Sequence, residues 1–343
     1  MKQHIQLQGW TIDSYLKLKG NTLKKAQSFI HNLKIAAANN QIRVGFSAYS
    51  HPILPFLSDE VIKRELLEDY QVVERNIGKP AWFWPPEGAI DQRVLSIVHS
   101  LFPDTQIVIS DKCLDEPIAS GFYHIAQKGV IVSSVYLKDL FMNAGVYPDK
   151  PKYIPPHIEW EKIRDITTNK EALSQGFHLF GMHQIAILTR DMENAGSKEG
   201  LFEFKDGHKQ VKALQELAHE HTFVHHDDEQ FFREGIDIKK IKGGSWEPKA
   251  TFKKPYPYWN ISSWKNFVEV FCSIYQPDFP TETLAVLASD VPWHYLAPKE
   301  WNPNPGYSAD FVSLVMTPLV RKIDDKRLTD AFTLMTQDFK KGF

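Results

Sequence analysis

Cysteine is nearly absent: Cys113 and Cys272 are the only two in 343 residues, and they form no Cys-x-x-Cys pair. Two cysteines are too few for a disulfide framework, which points to a reducing compartment and a cytoplasmic protein. No run of about 18 apolar residues occurs, so no helical membrane span is expected. The opening MKQHIQLQGW also lacks the apolar core of a secretion signal, and a soluble chain is expected. Excess charge is missing too. A net charge of -2, with acids and bases nearly balanced, gives no electrostatic case for nucleic acid or an anionic membrane as partner. Internal repeats and low-complexity tracts are absent as well.

Aromatic residues are abundant at 13%, with nine Trp. Large aromatics build cores, but several of these Trp sit beside polar or proline-rich turns, which suits stacking on sugar rings. The first 240 residues alternate short apolar runs with amphipathic stretches. Residues 22–38 repeat Leu23, Ala26, Phe29, Ile30 and Leu33 at helical spacing behind Asn21 or Thr22. Residues 58–76 place Ile62, Leu66 and Val73 on one helical face, and 91–101 read as a helix behind Asp91. Between and after them, IRVGF, PAWFWP, QIVIS, GVIVSSV, HQIAILT and HTFVHH read as strands, with a further helix at 207–220. Strands alternating with helices imply a parallel sheet, open or closed into a barrel, with sites at the C-terminal strand ends. After about residue 240 a Gly, Pro and aromatic loop leads into helical patterns at 262–275, 281–296 and 307–338. The expected division is an α/β catalytic part, 1–240, and a helical part, 241–343, packed on the active-site edge.

Two carboxylate stretches stand out. AWFWPPEG, residues 81–88, ends a strand with Glu87 between rigid prolines and a glycine; ILTRDMENAG ends another with Asp191 and Glu193. Glu87 can be a surface residue of a turn and Asp191 a helix cap. Taken together, two carboxylates at the ends of different strands are the minimum kit for cleaving a glycosidic bond. His51 follows a third strand and precedes Pro52. His221, His225 and His226 in HTFVHHDDE suggest a metal, but no metal or other cofactor is expected. On a strand at ~3.3 Å per residue, His221 and His225 stand ~13 Å apart. One zinc with bonds of ~2.0–2.1 Å cannot hold both. ASDVPWHYL places Ser289, Asp290 and Trp293 near a helix start, where a capping Asp and a core Trp are the plainer reading.

Several stretches, in this order, resemble glycoside hydrolase family 57, the amylase, 4-α-glucanotransferase and branching-enzyme family. YSHPILPFL is similar to its strand-to-loop element and FWPPEGAID to the segment of its nucleophile. DMENAG is similar to the segment of its general acid/base. GSWEPKATF, SSW and ASDVPWHY resemble its later Trp-containing elements. The resemblance runs from about residue 5 to 310. It implies an incomplete (β/α)7-type parallel barrel followed by a C-terminal helical layer. It assigns Glu87 as nucleophile and Asp191 as general acid/base, with retention of configuration. It implies sugar-binding roles for His51, Trp82, Trp84, Glu193, Trp246, Asp290 and Trp293, and an oligo- or polysaccharide of the α-glucan type as substrate.

Two departures accompany it. Met192 follows Asp191 where the family often has glycine. The family's opening His-x-His-Gln-Pro strand is not found in this sequence, so the first βα unit is expected to be missing or supplied by a partner chain. The expectation is thus a weak or inactive enzyme when alone. A carbohydrate-binding protein without activity, one half of a split enzyme, and a zinc deacetylase-like hydrolase using His221 and His225 stand as alternatives.

Overall fold

The structure, a computed structural model, describes residues 3–114, 121–125, 128–133, 236–237, 241–245, 255–257, 259–292 and 305–341. The chain divides into two compact units, one of 4–107 with 242–343 and one of 1–3 with 108–241. The expected elements HQIAILT, 207–220 and HTFVHH lie outside the described residues.

In the first unit, strand β1 (Gln3–Gln6) leads through helices α1 (Gly9–Leu16) and α2 (Gly20–Ala38) to β2 (Ile42–Phe46). Helix α3 (Asp59–Asn76) connects β2 to β3 (Trp82–Phe83), and α4 (Gln92–Leu101) connects β3 to the start of β4 (Gln106–Ser110). The order is β1-β2-β3-β4, and the pairs β2–β3 and β3–β4 are parallel, as helical crossovers require. Gly45 aligns with Trp82, Phe46 with Phe83, and Phe83 with Ile107. Ile42, Val44, Gly45 and Phe46 are all buried, the continuous run of a parallel strand covered on both faces. Phe46 packs edge-on against Phe102 at 4.8 Å and Tyr70 at 5.3 Å, and Phe83 lies 5.1 Å away. Asp91 caps α4 by accepting the Val94 N–H at 2.8 Å, the capping role its position predicts.

The C-terminal part of this unit is helical, as expected: α5 (Ser262–Ile274), α6 (Pro305–Ile323) and α7 (Lys326–Lys341). Phe267 joins α5 to α7 through Phe332 at 6.1 Å. Two expected helices differ. The pattern over 307–338 is broken, because Asp324 takes a left-handed φ of 53° and Asp325 accepts the Arg327 and Leu328 N–H groups to start α7. Of the pattern over 281–296, Thr281–Leu287 forms a 3-10 turn and 290–292 are helical, while 293–296 lie outside the described residues. After the 3-10 turn the backbone extends at Ala288, which bridges antiparallel to Pro52.

The second unit holds the rest of β4, β5 (Gly121–Ile125), β6 (Lys128–Ser133) and β7 (Ile236–Asp237), in the order β4-β6-β5-β7. β5 is parallel to β7 but antiparallel to β6, with Tyr123 opposite Val130. GVIVSSV, expected as one strand of a parallel series, is therefore the second arm of a hairpin. The two residues between β5 and β6 are too few for a crossover.

Gly45 is needed for close approach: a Cβ there would meet the Trp82 indole at 2.3 Å. The indole lies across the glycine and donates to the Arg43 carbonyl at 3.2 Å. Gly45→Ala is expected to lower stability by about 1–3 kcal/mol through overpacking. Urea unfolding checks this; an unchanged midpoint would show that the indole does not press on Gly45.

Candidate functional site

Parallel strands in register end at one edge, and β2 and β3 deliver His51 and Glu87 there. Ser47 ties the two strand ends together by donating its hydroxyl to the Trp84 carbonyl at 2.7 Å. Beyond Trp84, Pro85 and Pro86 fix the chain before a short 3-10 turn, Pro86–Gly88. Glu87 sits inside that turn with φ 55° and ψ 21°, and His51 has φ 61°. Both backbones are left-handed, a conformation unfavourable for residues other than glycine.

The two side chains meet over one serine. The Ser289 hydroxyl donates to Glu87 Oε1 at 3.2 Å and lies 3.1 Å from His51 Nδ1, while Nδ1 and Oε1 are 3.8 Å apart. A serine has one proton, and an ionised carboxylate only accepts. With the hydroxyl proton directed at Glu87, the Ser289 oxygen is left to accept from the His51 tautomer that carries its N–H at Nδ1. The order of donation is His51 to Ser289 to Glu87. The side chains of His51 and Glu87 keep 19% and 15% of their surface, enough to leave the carboxylate open to a ligand. Ser289 itself is fully buried. Its N–H donates to the His51 carbonyl at 3.0 Å, and its carbonyl accepts the Trp259 indole N–H at 3.2 Å. Trp259, Ile53 and Ala89 form an apolar floor, with Phe56 and Tyr256 against it. Ile90 and Gly244 exchange both backbone hydrogen bonds at 3.1 Å and anchor the far side of the Glu87 turn.

Residues 47–50, which carry His51, are held from α3. Asp69 accepts the N–H groups of Ser47 at 2.6 Å and of Gly9. Glu65 accepts the Ser50 N–H at 2.8 Å and its hydroxyl. Its carbonyl takes the Tyr49 N–H at 3.1 Å. Both carboxyls are fully buried. Burial pushes Glu65 up to about 8 and Asp69 up to about 7, against the donors that pull each of them down. Burial also raises the Tyr49 phenol, helped by its 2.8 Å bond to Asp13.

Of the sequence candidates, the structure brings His51 and Glu87 together. Trp84 is half-buried at the strand end, and Trp82 is buried against Gly45. Asp290 is exposed beside Ser289. Asp191, Glu193, Trp246, Trp293 and the three histidines 221, 225 and 226 lie outside the described residues. Among the described residues, no cluster of three His, Cys, Asp or Glu is suited to a metal, and no helix is long and apolar enough to cross a membrane. Sequence reasoning passed over the bridging role of Ser289 and missed Glu65, Asp69 and Trp259. The one available signal was the placement of Glu65 and Asp69, four apart, on the same face of α3 as Ile62 and Leu66.

Two outcomes are expected. At position 87 a left-handed backbone favours glycine, so Glu87→Gly is expected to exceed Glu87→Ala in stability by about 1 kcal/mol. Denaturant titration of both variants measures it, and an alanine variant of equal or greater stability contradicts the turn. For Glu65 and Asp69 the folded values, about 8 and about 7, exceed the ordinary 4.5 and 3.8. The folded state therefore holds more protons than the unfolded chain between these limits. Their contribution to stability is full below about pH 4 and is lost as pH rises to about 8. Urea midpoints are expected to fall across that window, and the fall is expected to shrink in a Glu65→Gln/Asp69→Asn variant. A wild-type midpoint that rises, or a variant that falls equally, contradicts the shifts.

The model of Glycosyl hydrolase family 57 matches residues 6–125. That span contains the His51 and Glu87 turns; Asp191 and Ser289 lie beyond it. No curated protein matches the chain. A GH57 branching enzyme from Thermococcus kodakaraensis shares 15% identity at a TM-score of 0.53, with 97% of this chain and 80% of that one covered. The GH57-type branching enzyme of Pyrococcus horikoshii gives 15% and 0.54 over 97% and 79%. The α-amylase AmyC of Thermotoga maritima gives 12% and 0.55 over 96% and 80%. At such identities the likeness is one of fold: a parallel sheet with helices and a helical C-terminal part. The family that the ordered motifs resemble is thus the family that residues 6–125 match, glycosyl hydrolase family 57.

Proposed function

We propose that this chain is a retaining α-glucan-active enzyme, a glycoside hydrolase or glucanotransferase, with Glu87 as nucleophile and Asp191 as general acid/base. The observation that carries the reading is the Glu87 turn. An ionisable side chain is held in a left-handed backbone, oriented by Ser289 and His51, and left partly open at the end of a parallel strand. Strain of this kind persists where the surroundings over-determine it, and functional residues are where it collects. In the proposed first step a Glu87 carboxylate oxygen attacks the anomeric carbon. The bond from that carbon to the leaving oxygen breaks, and Asp191 gives the leaving oxygen its proton. Asp191 then takes a proton from water or an acceptor hydroxyl, whose oxygen attacks the same carbon and releases Glu87. Two inversions give retention. Trp84 suits the sugar subsite better than Trp82, whose indole is taken up by Gly45. His51, Glu193, Trp246, Asp290 and Trp293 would complete the sugar contacts. The alternatives, a carbohydrate-binding protein without activity and one half of a split enzyme, predict no turnover by this chain alone.

The test is turnover of maltooligosaccharides by the chain alone and with a segment bearing a His-x-His-Gln-Pro strand fused or added. Weak turnover is expected alone and more with the segment. Glu87→Gln and Asp191→Asn are each expected to lower kcat by about a thousandfold or more. Mass spectrometry of acid-quenched reactions is expected to show a glycosyl adduct on the peptide of Glu87. Turnover unaffected by Glu87→Gln rejects the assignment. Glucan binding without turnover in either arm selects the binding-protein reading.

A further inference from the structure

Two carboxylates that the proposed reaction does not use are buried behind its site. Glu65 and Asp69 stand one turn apart on α3, both fully buried, with no cation bonded to either among the described residues. Such groups cost stability unless their oxygens are well satisfied. Here every bond to them comes from a donor: the Ser47 and Gly9 N–H groups on Asp69, the Ser50 N–H and hydroxyl on Glu65. With the Glu65 carbonyl taking Tyr49 and the Ala48 carbonyl taking His51 at 3.1 Å, the N–H groups of residues 47, 49, 50 and 51 are all bound. Gly9 belongs to the same arrangement, since a Cβ there would meet Tyr49 at 2.8 Å and Asp69 at 3.1 Å.

We infer that Glu65 and Asp69 are positioning residues for the Glu87 site: they hang residues 47–50 from α3 and so fix where His51 meets Ser289 and Glu87. His51 directly follows the held segment in its left-handed conformation, and Ser289 grips the His51 carbonyl from the other side. Each Asp69 oxygen keeps an acceptor lone pair whether or not the carboxyl is protonated, so the group can take two donors at once. An amide at position 69 would turn one NH2 toward an N–H, break a bond and free the segment. Displacements on the order of 1 Å at a reacting group can cost a hundredfold in rate. The inference deepens the glycosidase reading and rests on it for its kinetic consequence alone.

The experiment uses the full chain with Asp69→Asn and the milder Ser50→Ala, which removes only the hydroxyl donor to Glu65. In maltooligosaccharide turnover, Asp69→Asn is expected to lower kcat about tenfold or more with KM within about threefold, and Ser50→Ala to do the same to a smaller extent. The second reading is the 15N resonances of the His51 imidazole. Glu87→Gln is expected to move them in the wild type and to move them less than half as far in the Asp69→Asn background. Unchanged kcat together with an undiminished response overturns the inference. Should the wild type show no Glu87-dependent turnover, the glycosidase reading fails and the imidazole response alone decides the positioning role. Should Asp69→Asn not fold, the Ser50→Ala variant decides by the same measurements.

Discussion

A parallel strand that ends inside the protein leaves backbone N–H groups with no neighbouring strand to bond, and such groups cannot be buried unpaired. At the end of β2, residues 47–50 are all buried. The acceptors come from α3, whose Glu65 and Asp69 side chains and Glu65 carbonyl face that strand end. Much of the site geometry follows from this demand. The helix must lie close, so Gly9 has no side chain to hold it off. The segment must follow the helix rather than the sheet, so it turns sharply at His51. The sharp turn aims an imidazole across the strand ends toward Glu87.

The same economy of contacts explains how residues remote in sequence share a site. Ser289 follows a 3-10 turn near the C-terminal helices, 238 positions from His51 and 202 from Glu87. One backbone bridge, Pro52 to Ala288, and one bond, Ser289 N–H to the His51 carbonyl, bring it in. The Trp259 indole closes the remaining carbonyl. Water excluded by Trp259, Ile53 and Ala89 cannot compete for these bonds, which strengthens them. The serine is thereby held by its backbone on both sides, and only its hydroxyl is left to connect the two ionisable side chains.

What the sequence made legible was periodic or punctuated. The apolar spacing of α2, α3 and α5, the Asp91 cap and the proline-bounded Glu87 turn are local signals, and the structure has them within a few residues. What stayed hidden depended on partners far along the chain. Glu65 and Asp69 interrupt the apolar face of α3, a signal that shows two carboxyls turned inward but says nothing about whether donors wait opposite. The break at Asp324 was masked by apolar spacing that continues across it into α7. The β5–β6 hairpin stayed hidden because its first arm, GFYHI, carries a glycine and a histidine among its aromatics and lacks the unbroken aliphatic run of GVIVSSV. Ser289 lay in a stretch whose spacing suited a helix until a bridge to Pro52 claimed its backbone.

Glu87 shows why a local signal still sufficed to find the site. A glutamate between two prolines and a glycine has few places to go, since Pro85 and Pro86 fix the approach and Gly88, with φ 58°, takes a second left-handed step. The prolines narrow the approach to the turn, but the cost of a left-handed glutamate has to be met by what surrounds it. Here the surroundings are the Ile90–Gly244 bridge on one side and Ser289 on the other. Gly244 and Ser289 both lie beyond residue 240, so contacts remote in sequence hold the turn in its strained form. A turn shaped by sequence but held by distant contacts is visible in the chain, while the direction in which its carboxylate points is not. The Ser289 hydroxyl and the His51 ring help to set that direction, and the hydroxyl can donate its proton to only one of its two neighbours.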